Sequence, residues 1–329
     1  MSPPARYPLA ALPTALVRAE RLERALGAPP LWVKRDDLVG FALAGNKARK
    51  LELLLADALA RGCDTLLTGG GPGSNFCQAA AAAAQVAGLA CVLVMYGSEP
   101  ASPPPNLGLV RALGGQVRFT GRPERDSVDQ ALEDSAAGLR AEGRRPYLVP
   151  RGGASALGAA AYALAVAELA DQLDAEGVVP ELVLVATGSG GTQAGLVAGT
   201  VAAARPWRVV GASVSRPPGA CAERVLALAR AAAELLGAPA ADAGQVEVRD
   251  ARGPGYGLAS AQGAWAAGLA ARTEGLLLDP VFTAKALAEL PRLLDQVGGP
   301  VVFWHTGGLP AALWRLAGAG EGGGRCSDR

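Results

Sequence analysis

Lys47 is the residue of this sequence whose setting best suits chemistry by a free amine. It lies in Gly45-Asn-Lys47, where a Gly-Asn pair interrupts the chain before an amphipathic run that extends to about Ala60. We expect Asn46 to cap a helix there, because its side-chain oxygen can accept an unpaired amide of the first turn. A helix start disfavours an ammonium, and a dry site would lower the pKa of Lys47 further. Such an amine can attack a carbonyl group, although a lysine in this position can equally be a solvated surface residue.

A glycine-rich loop is the second candidate for chemistry. A strand is predicted over Leu182–Thr187, and Gly188-Ser-Gly-Gly-Thr-Gln-Ala-Gly195 follows it before a predicted helix. Free backbone amides at such a helix start bind anions, usually phosphate. A dinucleotide fingerprint is excluded by Gln193, which stands where a glycine is needed, and a Walker loop by the absence of Gly-Lys-Ser/Thr. The loop therefore predicts a cup for a single phosphate group, with a tight packing turn as the alternative.

A reactive lysine together with a single-phosphate cup indicates pyridoxal 5'-phosphate. The lysine would form a Schiff base with the aldehyde, and the loop would hold the phosphate. The pair of features is more specific than either feature alone.

Three further loops carry polar side chains that can face a ligand. Ser74 and Asn75 end the loop that begins at Thr68, either as helix caps or as groups aimed into a cleft. Tyr256 is flanked by glycines that let the backbone approach a ligand closely, but it can equally be a packing residue. His305, the single histidine, is interpreted as a structural residue, because no metal site or Ser-His-Asp order is legible around it.

The elements that must position these loops alternate between strand and helix. Short apolar runs separated by helical stretches predict parallel sheets covered on both faces, and such sheets bind ligands at the carboxyl ends of their strands. We therefore expect one site between two sheets. The predicted strands are 31–35, 65–68, 91–96, 116–119, 147–149, 182–187, 208–213, 246–248 and 301–304. The predicted helices are 15–26, 47–60, 76–87, 106–114, 126–142, 155–174, 192–204, 218–236, 259–271 and 283–296.

The composition restricts the partners and the compartment of the protein. The 329 residues include 31 basic and 30 acidic ones, so no charge pattern points to nucleic acid or an anionic membrane. The N-terminus lacks the apolar core of a signal peptide, and no apolar run reaches the length of a membrane span. Five scattered cysteines without CxxC spacing are typical of a reducing compartment. We expect a cytoplasmic protein with no membrane or nucleic-acid partner.

Over nearly its whole length the chain resembles the D-cysteine desulfhydrase and 1-aminocyclopropane-1-carboxylate deaminase family of pyridoxal phosphate enzymes. The motifs that carry the resemblance occur in family order along the chain. They are Leu31–Asp37, Gly45–Glu52, Gly62–Thr65, Ser74–Asn75, Gly152–Gly158, Thr187–Gly195, Gly253–Gly257, Glu274–Lys285 and His305–Gly308.

The resemblance implies an α/β protein of the tryptophan-synthase-β type (fold type II), with two open, twisted, mostly parallel sheets flanked by helices. It implies a larger cofactor-binding domain made of residues 1–50 and 152–329, a smaller inserted domain of residues 51–151, and an active site between them. We expect residues 318–329, which are rich in glycine and polar residues, to form a disordered tail. A homodimer is also implied by the resemblance.

The resemblance also implies roles for single residues. Lys47 would be the Schiff-base lysine and the proton carrier, Ser74 would contact the substrate carboxylate or assist proton transfer, and Asn75 would bind the phenolic oxygen of the cofactor. Tyr256 would lie over the substrate, and Thr283 would face the pyridine nitrogen. The phosphate would be held by a loop and one more lysine: Thr187, Gly188, Ser189, Gly190, Gly191, Thr192 and Lys50.

Thr283 favours one branch of the family, because a neutral hydroxyl at the pyridine nitrogen makes a weaker electron sink than the glutamate of the deaminase branch. A weak sink suffices when a good leaving group departs from Cβ. Three positions depart from the family pattern: Phe282 replaces a usual Tyr, Phe76 a usual His or Gln, and Gly71-Pro-Gly73 the usual loop. The two phenylalanines would line a substrate pocket that has lost polar groups, which changes substrate discrimination.

We therefore predict a lyase that removes a β-substituent from a small amino acid, with D-cysteine as the lead candidate. The alternatives are the cyclopropane deaminase, a diverged relative with a changed substrate or reaction, and a non-catalytic protein that binds pyridoxal phosphate. A nucleotide-binding module using Gly188–Gly195 is the alternative from another class.

Overall fold

The computed structural model describes residues 4–318. Its ten strands all lie in two sheets. The strands are β1 (Leu16–Arg18), β2 (Leu31–Arg35), β3 (Thr65–Gly70), β4 (Ala90–Met95), β5 (Gln116–Phe119), β6 (Pro146–Leu148), β7 (Leu182–Thr187), β8 (Arg208–Ser213), β9 (Glu247–Asp250) and β10 (Val301–His305).

Helices connect most of these strands. They are α1 (Glu20–Leu26), α2 (Asn46–Ala60), α3 (Asn75–Val86), α4 (Pro105–Ala112), α5 (Ser127–Ala141), α6 (Ala156–Ala175), α7 (Gly191–Ala202), α8 (Pro218–Leu236), α9 (Ala261–Glu274), α10 (Thr283–Leu287), α11 (Leu290–Leu294) and α12 (Leu309–Leu316). The alternating α/β pattern expected from the sequence is confirmed.

The larger sheet has six strands in the order β1-β2-β10-β7-β8-β9, and only the edge pair of β1 and β2 is antiparallel. Its central strands are buried along their length, which explains their continuous apolar sequences. In β7 alternate side chains enter opposite cores: Val183 and Val185 pack under α6, α7 and α8, whereas Leu182 and Leu184 pack under α9, α10 and α11. The sheet is therefore covered by helices on both faces.

The smaller sheet has four parallel strands in the order β5-β4-β3-β6. Leu66 packs against the side that carries α2, α3 and α4, and its neighbour Leu67 faces α5. All strands of this sheet lie between residues 65 and 148, whereas the strands of the larger sheet come from both ends of the chain. The domain boundaries at residues 51 and 151 stay a prediction, and α2 runs across the first of them.

Two predicted helices differ from the structure, and one observed helix was not predicted. The segment predicted as one helix over 15–26 begins with strand β1, which pairs with β2, and α1 starts only at Glu20. The predicted helix 283–296 is two short helices, because Pro291 lacks the amide that a continuous helix would need. Helix α12 follows β10 and was not predicted.

We expected no apolar segment long enough to span a membrane. When only length and composition are considered, this expectation is wrong. Within residues 4–318, the 25-residue segment Arg151–Ala175 is long and apolar enough, because it contains an 18-residue stretch with a mean hydropathy of 1.4. Of that 18-residue stretch, 67% is buried inside the fold, as expected for the core helix α6. The predicted disordered tail begins at Gly318, and its remaining residues lie outside the described part of the chain.

Candidate active site

Helix α2 begins where the chain touches the end of β10. Gly45 precedes the helix with φ +54°, and an added Cβ there would lie 2.3 Å from the carbonyl oxygen of Thr306. The amide of Asn46 donates to that same oxygen at 2.9 Å. Only glycine allows this approach, which brings the first turn of α2 to the carboxyl end of the large sheet.

Asn46 is not the capping residue that the sequence predicted. Gly45 precedes the helix without a side-chain cap, and the Asn46 amide group donates from Nδ2 to Thr192 Oγ1 at 2.9 Å. This tertiary hydrogen bond links the starts of α2 and α7, which are far apart in sequence. A local capping pattern cannot predict such a bond.

A cavity lies between the two sheets, at the carboxyl ends of their strands. It contains eleven of the residues predicted for the site: Lys47, Ser74, Asn75, Phe76, Thr187, Gly188, Ser189, Gly190, Thr192, Tyr256 and Phe282. Three predicted residues do not line it: Lys50, Gly191 and Thr283. The lining also includes side chains that were not predicted for the site, among them Tyr96, Arg125, Arg151, Gln193 and Asp279.

Lys47 lies in the wall of this cavity with an amine that loses its proton readily. Burial lowers the pKa of Lys47 from its ordinary 10.5 to about 8, and the opposing charge of Asp279 limits the fall. The amine is therefore about half free near pH 8, where a solvated lysine is almost fully protonated. A free amine is the form that attacks a carbonyl or accepts a proton.

Lys50 lies one turn further along α2 and is completely buried. Its Nζ makes one long hydrogen bond, 3.4 Å to the carbonyl oxygen of Gly152, and no carboxylate of residues 4–318 lies within 4.0 Å. Burial, followed by the charge of Lys47, holds the pKa of Lys50 well below its usual value. A buried ammonium with so few partners is costly unless an anion binds beside it.

The start of α7 faces Lys50. An added Cβ on Gly191, the first residue of the helix, would lie 3.0 Å from Lys50 Nζ. The residue before it, Gly190, has φ +93°, so the loop turns sharply and leaves the first amides of a 12-residue helix unpaired. A lysine and a helix start that converge in this way form an anion-binding site.

Polar side chains fix the rest of the loop. Thr187 donates to Gln193 Oε1 at 2.9 Å, and Gln193 Nε2 donates to the carbonyl oxygen of Glu247 at 2.7 Å. Gly211 leaves the space for this amide, because a Cβ there would lie 1.8 Å from Gln193 Oε1. Gln193, which ruled out a dinucleotide fingerprint, therefore anchors the glycine-rich loop to the neighbouring strands.

Ser74 and Asn75 begin α3 on the opposite side of the cavity. Ser74 is a true N-cap: its Oγ accepts from the amide of Cys77 at 3.2 Å. Asn75 accepts from Asn106 Nδ2 at 2.9 Å through its Oδ1, and its own amide group donates to no other residue between 4 and 318. Asn106 was not predicted, and it orients Asn75 so that the amide can bind an oxygen in the cavity.

Tyr256 is held by neighbours on three sides. Its ring meets Phe282 edge-on at 6.1 Å between centroids, and the guanidinium of Arg125 lies 3.8 Å from the ring centroid on its face. Lys285 fixes the loop below it by donating to the carbonyl oxygens of Arg252 at 2.7 Å and Gly255 at 2.9 Å. These contacts fix the position of the Tyr256 ring in the cavity wall. Its contact with a substrate stays a prediction.

Thr283 is completely buried behind Asp279. Its hydroxyl donates to Asp279 Oδ1 at 2.7 Å and accepts from the Asp279 amide at 2.8 Å. Burial raises the pKa of Asp279, although hydrogen bonds from Thr283, Phe282 and Val281 oppose this. The place of Thr283 at a pyridine nitrogen stays a prediction.

Comparison with known proteins decides the family. The family model described as pyridoxal-phosphate dependent enzyme matches residues 8–307 of this chain. The chain belongs to this family of pyridoxal phosphate enzymes. The resemblance seen in the sequence and the expected cofactor are thereby confirmed.

Individual relatives of the pyridoxal phosphate family agree with this membership. A Pyrococcus abyssi protein provisionally assigned as a 1-aminocyclopropane-1-carboxylate deaminase is 40% identical over 88% of this chain and 87% of its own. The D-cysteine desulfhydrase of Klebsiella pneumoniae is 39% identical over 93% of this chain and 94% of its own. The crystal structure of an ACC deaminase homologue superposes with a TM-score of 0.89 and 34% identity, over 95% of both chains. The predicted fold type II architecture is confirmed.

The residues of the cavity fit pyridoxal phosphate. The buried Lys50 and the start of α7 suit the phosphate, and Lys47 suits the aldehyde. Lys50 is the observation that decides the fit, since its buried amino group has no carboxylate partner in residues 4–318 and would be stabilised as an ammonium by a bound phosphate. These individual roles stay predictions.

His305 does not line the cavity. It is 1% exposed, accepts from the Gly307 amide through Nδ1 at 3.3 Å, and has Nε2 3.7 Å from Asp37 Oδ2. Burial lowers its pKa, which favours the neutral ring. Its position behind the Thr306–Gly307 turn agrees with the structural interpretation.

Proposed function

We propose that this protein is a pyridoxal-phosphate-dependent lyase that removes the β-substituent of a small amino acid, with D-cysteine as the lead substrate. The observation that carries the proposal is the Lys47 amine, with a pKa near 8, in a cavity lined by Gly190 and Thr192 at the start of α7, behind which Lys50 is buried. This arrangement supports a proton carrier and a phosphate anchor in one site.

The cofactor, when bound, supplies a conjugated ring that accepts the negative charge left when the α-proton is removed. Lys47 Nζ would take that proton and carry it, because a pKa near 8 suits both directions of transfer near neutral pH. Ser74 and the amides at the start of α3 would bind the α-carboxylate. The rings of Phe76 and Phe282 exclude water from the reacting atoms.

The choice of reaction within the family rests on Thr283 and Phe282. Thr283 is a neutral partner for the pyridine ring, which limits how much charge the ring accepts and favours substrates with a good leaving group on Cβ. Phe282 and Phe76 lack the polar groups that are usual in the family, so this site should discriminate between substrates differently from its relatives. For D-cysteine the products would be pyruvate, sulfide and ammonia.

The deaminase is the second candidate, because a provisional deaminase and a desulfhydrase are almost equally similar to this chain. Incubation with each amino acid separates the two: D-cysteine should release sulfide, and 1-aminocyclopropane-1-carboxylate should not release ammonia. Ammonia from the cyclopropane acid without sulfide from D-cysteine would overturn our choice. Thr283→Glu should support ring opening only if the rest of that machinery is present.

The absorbance spectrum of the purified protein is the primary experiment. We expect a yellow band that survives gel filtration, that is absent from Lys47→Ala, and that D-cysteine shifts only until the substrate is consumed. A band that shifts permanently without product would favour a binding protein that has lost turnover. A colourless protein that cannot be loaded with the cofactor, but that binds nucleotide, would contradict the proposal.

We also propose a homodimer in the cytoplasm. The resemblance to the family supports the dimer, and the cysteines of the described chain support a reducing compartment, since Cys63, Cys77, Cys91 and Cys221 are all free thiols. Sedimentation equilibrium of the loaded protein tests the dimer, and a single monomeric mass would contradict it.

A further inference from the structure

Four arginines gather on one side of the cavity. Arg125 and Arg151 line it directly, and two others grip the phosphate loop from outside: Arg216 donates to the carbonyl oxygen of Gly188 at 2.7 Å, and Arg224 to that of Ser189 at 2.9 Å. Burial, followed by the charges of Arg224, Arg125 and Arg151, lowers the pKa of Arg216. Arg216 therefore lies close enough to the other three guanidinium groups to be repelled by their charges.

Carboxylates neutralise only one of these arginines. Arg151 binds Asp129 through both oxygens, at 2.8 and 2.6 Å, and Asp126 at 2.8 Å. For the other three arginines, no carboxylate of residues 4–318 lies within 4.0 Å. This wall of the cavity carries more positive than negative charge, which is the condition for binding an anion.

Arg125 differs from Arg216 and Arg224 because its guanidinium makes no hydrogen bond to residues 4–318. Its Cζ lies over the Tyr256 ring, 3.8 Å from the ring centroid, a cation–π contact that uses none of its N–H donors. A guanidinium has five such donors in a planar fork, which suits two oxygens of one anion. Its free donors lie in the cavity wall.

The anions of the proposed reaction are already provided for. Lys50, the start of α7 and the two loop-bound arginines surround the place of the phosphate, and the start of α3 with Ser74 faces the place of the α-carboxylate. Arg125 lies instead against Tyr256, the residue expected over the substrate. Arg125 is therefore available for a further negative group.

We propose that Arg125 binds an anionic group on the β-carbon of the substrate, so that the preferred substrates are amino acids carrying a sulfur or phosphorus oxyanion at that carbon. The proposal rests on the lyase function proposed above, and within that function it ranks these anionic substrates ahead of D-cysteine. The same contact would stabilise the departing anion, since the leaving group takes the bonding electron pair with it.

The reaction balances for a β-sulfonate. The Cα–H bond breaks and its proton goes to Lys47, the Cβ–S bond breaks with both electrons going to sulfur, and a Cα=Cβ double bond forms. After addition of one water, cysteate yields pyruvate, ammonium and hydrogensulfite. O-phosphoserine reacts in the same way, with the Cβ–O bond breaking and phosphate leaving.

The first test compares kcat/KM of the loaded enzyme for cysteate and O-phosphoserine with that for 3-chloroalanine, whose β-substituent is neutral, each as both enantiomers. Arg125→Gln should lower kcat/KM roughly 10- to 100-fold for the anionic substrates and less than about 3-fold for 3-chloroalanine. Arg122→Gln is the matched control, because this exposed arginine in the same loop does not line the cavity, and no substrate should be affected. The relative rates for cysteate and O-phosphoserine identify which oxyanion is preferred.

An equal loss for all three substrates would overturn the proposal and reduce Arg125 to a support for Tyr256. Arg125→Lys separates charge from geometry: it should restore part of the loss for the anionic substrates, because it keeps the charge but not the planar fork. If Arg125→Lys restores none of the lost kcat/KM, and Arg125→Gln lowers kcat/KM equally for 3-chloroalanine, Arg125 has only a structural role.

A binding measurement tests the anion site without turnover. Calorimetric titration of the loaded protein with 3-sulfopropanoate and with propanoate should show at least roughly tenfold tighter binding of the sulfonate, and Arg125→Gln should abolish the difference. Equal affinities in the unmodified protein would overturn the anion site even if the enzyme is an active lyase. A retained preference in a protein that turns over no amino acid would instead refute the lyase function alone.

Discussion

Arg49 and Asp36 form an ion pair that is almost completely removed from water. Arg49 Nη2 lies 2.9 Å from Asp36 Oδ1, and the two side chains are 2% and 0% exposed. Arg49 lies on α2 between Lys47 and Lys50, so the pair ties the rear of the site-bearing helix to the end of β2. Tyr162 and Trp304 donate to the other Asp36 oxygen at 2.5 and 2.8 Å, which completes the anchor.

Replacing Asp36 with Asn should lower the free energy of unfolding by about 3 kcal/mol. The buried Arg49 would keep only one carboxylate partner, Glu168, which lies 2.7 Å from Arg49 Nη2. Tyr162 and Trp304 would also lose a charged acceptor. Urea unfolding of the cofactor-free protein measures this change. Asp174→Asn is the control, since its pair with Arg205 is partly exposed and is expected to contribute about 0–1 kcal/mol.

The effect of Asp36→Asn should also depend on pH. Burial alone would raise the pKa of Asp36, but Arg49, Tyr162 and Trp304 hold it below its ordinary value. The pair therefore contributes its full stability above pH of about 4, the pKa of an unfolded Asp, and loses it as the pH falls through the lower folded value. A stability difference between the two proteins that grows on acidification would contradict this assignment.

The rate at which cofactor-free protein combines with pyridoxal phosphate should rise with pH and level off above about pH 8. The reason is that only the free amine of Lys47 attacks the aldehyde, and burial has lowered the pKa of that amine to about 8. Stopped-flow absorbance of the yellow band measures the rate. A rate that continues to increase toward pH 10, the range of a solvated lysine, would show that Lys47 is not shielded.

Lys50→Met should weaken binding of pyridoxal phosphate roughly 10- to 100-fold but leave binding of pyridoxal, which lacks the phosphate, unchanged. The same variant should make the cofactor-free protein at least as stable, because a buried amine with one long hydrogen bond is replaced by an apolar chain of similar length. Equilibrium titration and thermal unfolding measure the two effects. Equal weakening for both ligands would mean that Lys50 does not serve the phosphate.

Lys285→Met should loosen the loop that carries Tyr256, since it removes donors to the carbonyl oxygens of Arg252 and Gly255. We expect faster amide hydrogen exchange over residues 252–257 and a KM that rises about fivefold or more, consistent with the loss of about 1 kcal/mol per hydrogen bond. Exchange elsewhere in the protein serves as the internal control. Unchanged exchange in this loop would show that other contacts hold it.

The sequence predicted the sheets well where strands are continuous apolar runs between turn residues. The bounds of β2, β5, β7 and β8 agree with the structure, as do those of helix α8. Strand β1 was missed because three residues carry no period of their own and become a strand only by pairing with β2. The local sequence pattern predicts most elements, but a short segment such as β1 becomes a strand only through its pairing with another strand.

The candidate site divides in the same way. Lys47 and the loop after β7 were predicted as site residues from the sequence. A lysine at a helix start and glycines before a helix are local features with a chemical meaning. Asn106 and Arg125 could not be predicted, because each acquires its place through a residue distant in the chain, Asn75 and Tyr256 respectively. Asp279 was also missed, although its hydrogen bonds are local and only its place in the cavity wall depends on the tertiary structure. Arg125 lies in a loop with several charged residues, and nothing in the local sequence indicates which of them lines a cavity.

Asn46 shows the difference most clearly. Its type and position beside a helix start follow from local chemistry, and so does the cofactor implied by the adjacent lysine and the distant glycine loop. Its actual partner, Thr192, is brought within 2.9 Å only when the large sheet places β10 and β7 side by side. Backbone propensity and glycine act over a few residues, whereas the distances, burial and pKa values of a site arise from packing between elements that the chain separates by more than a hundred residues.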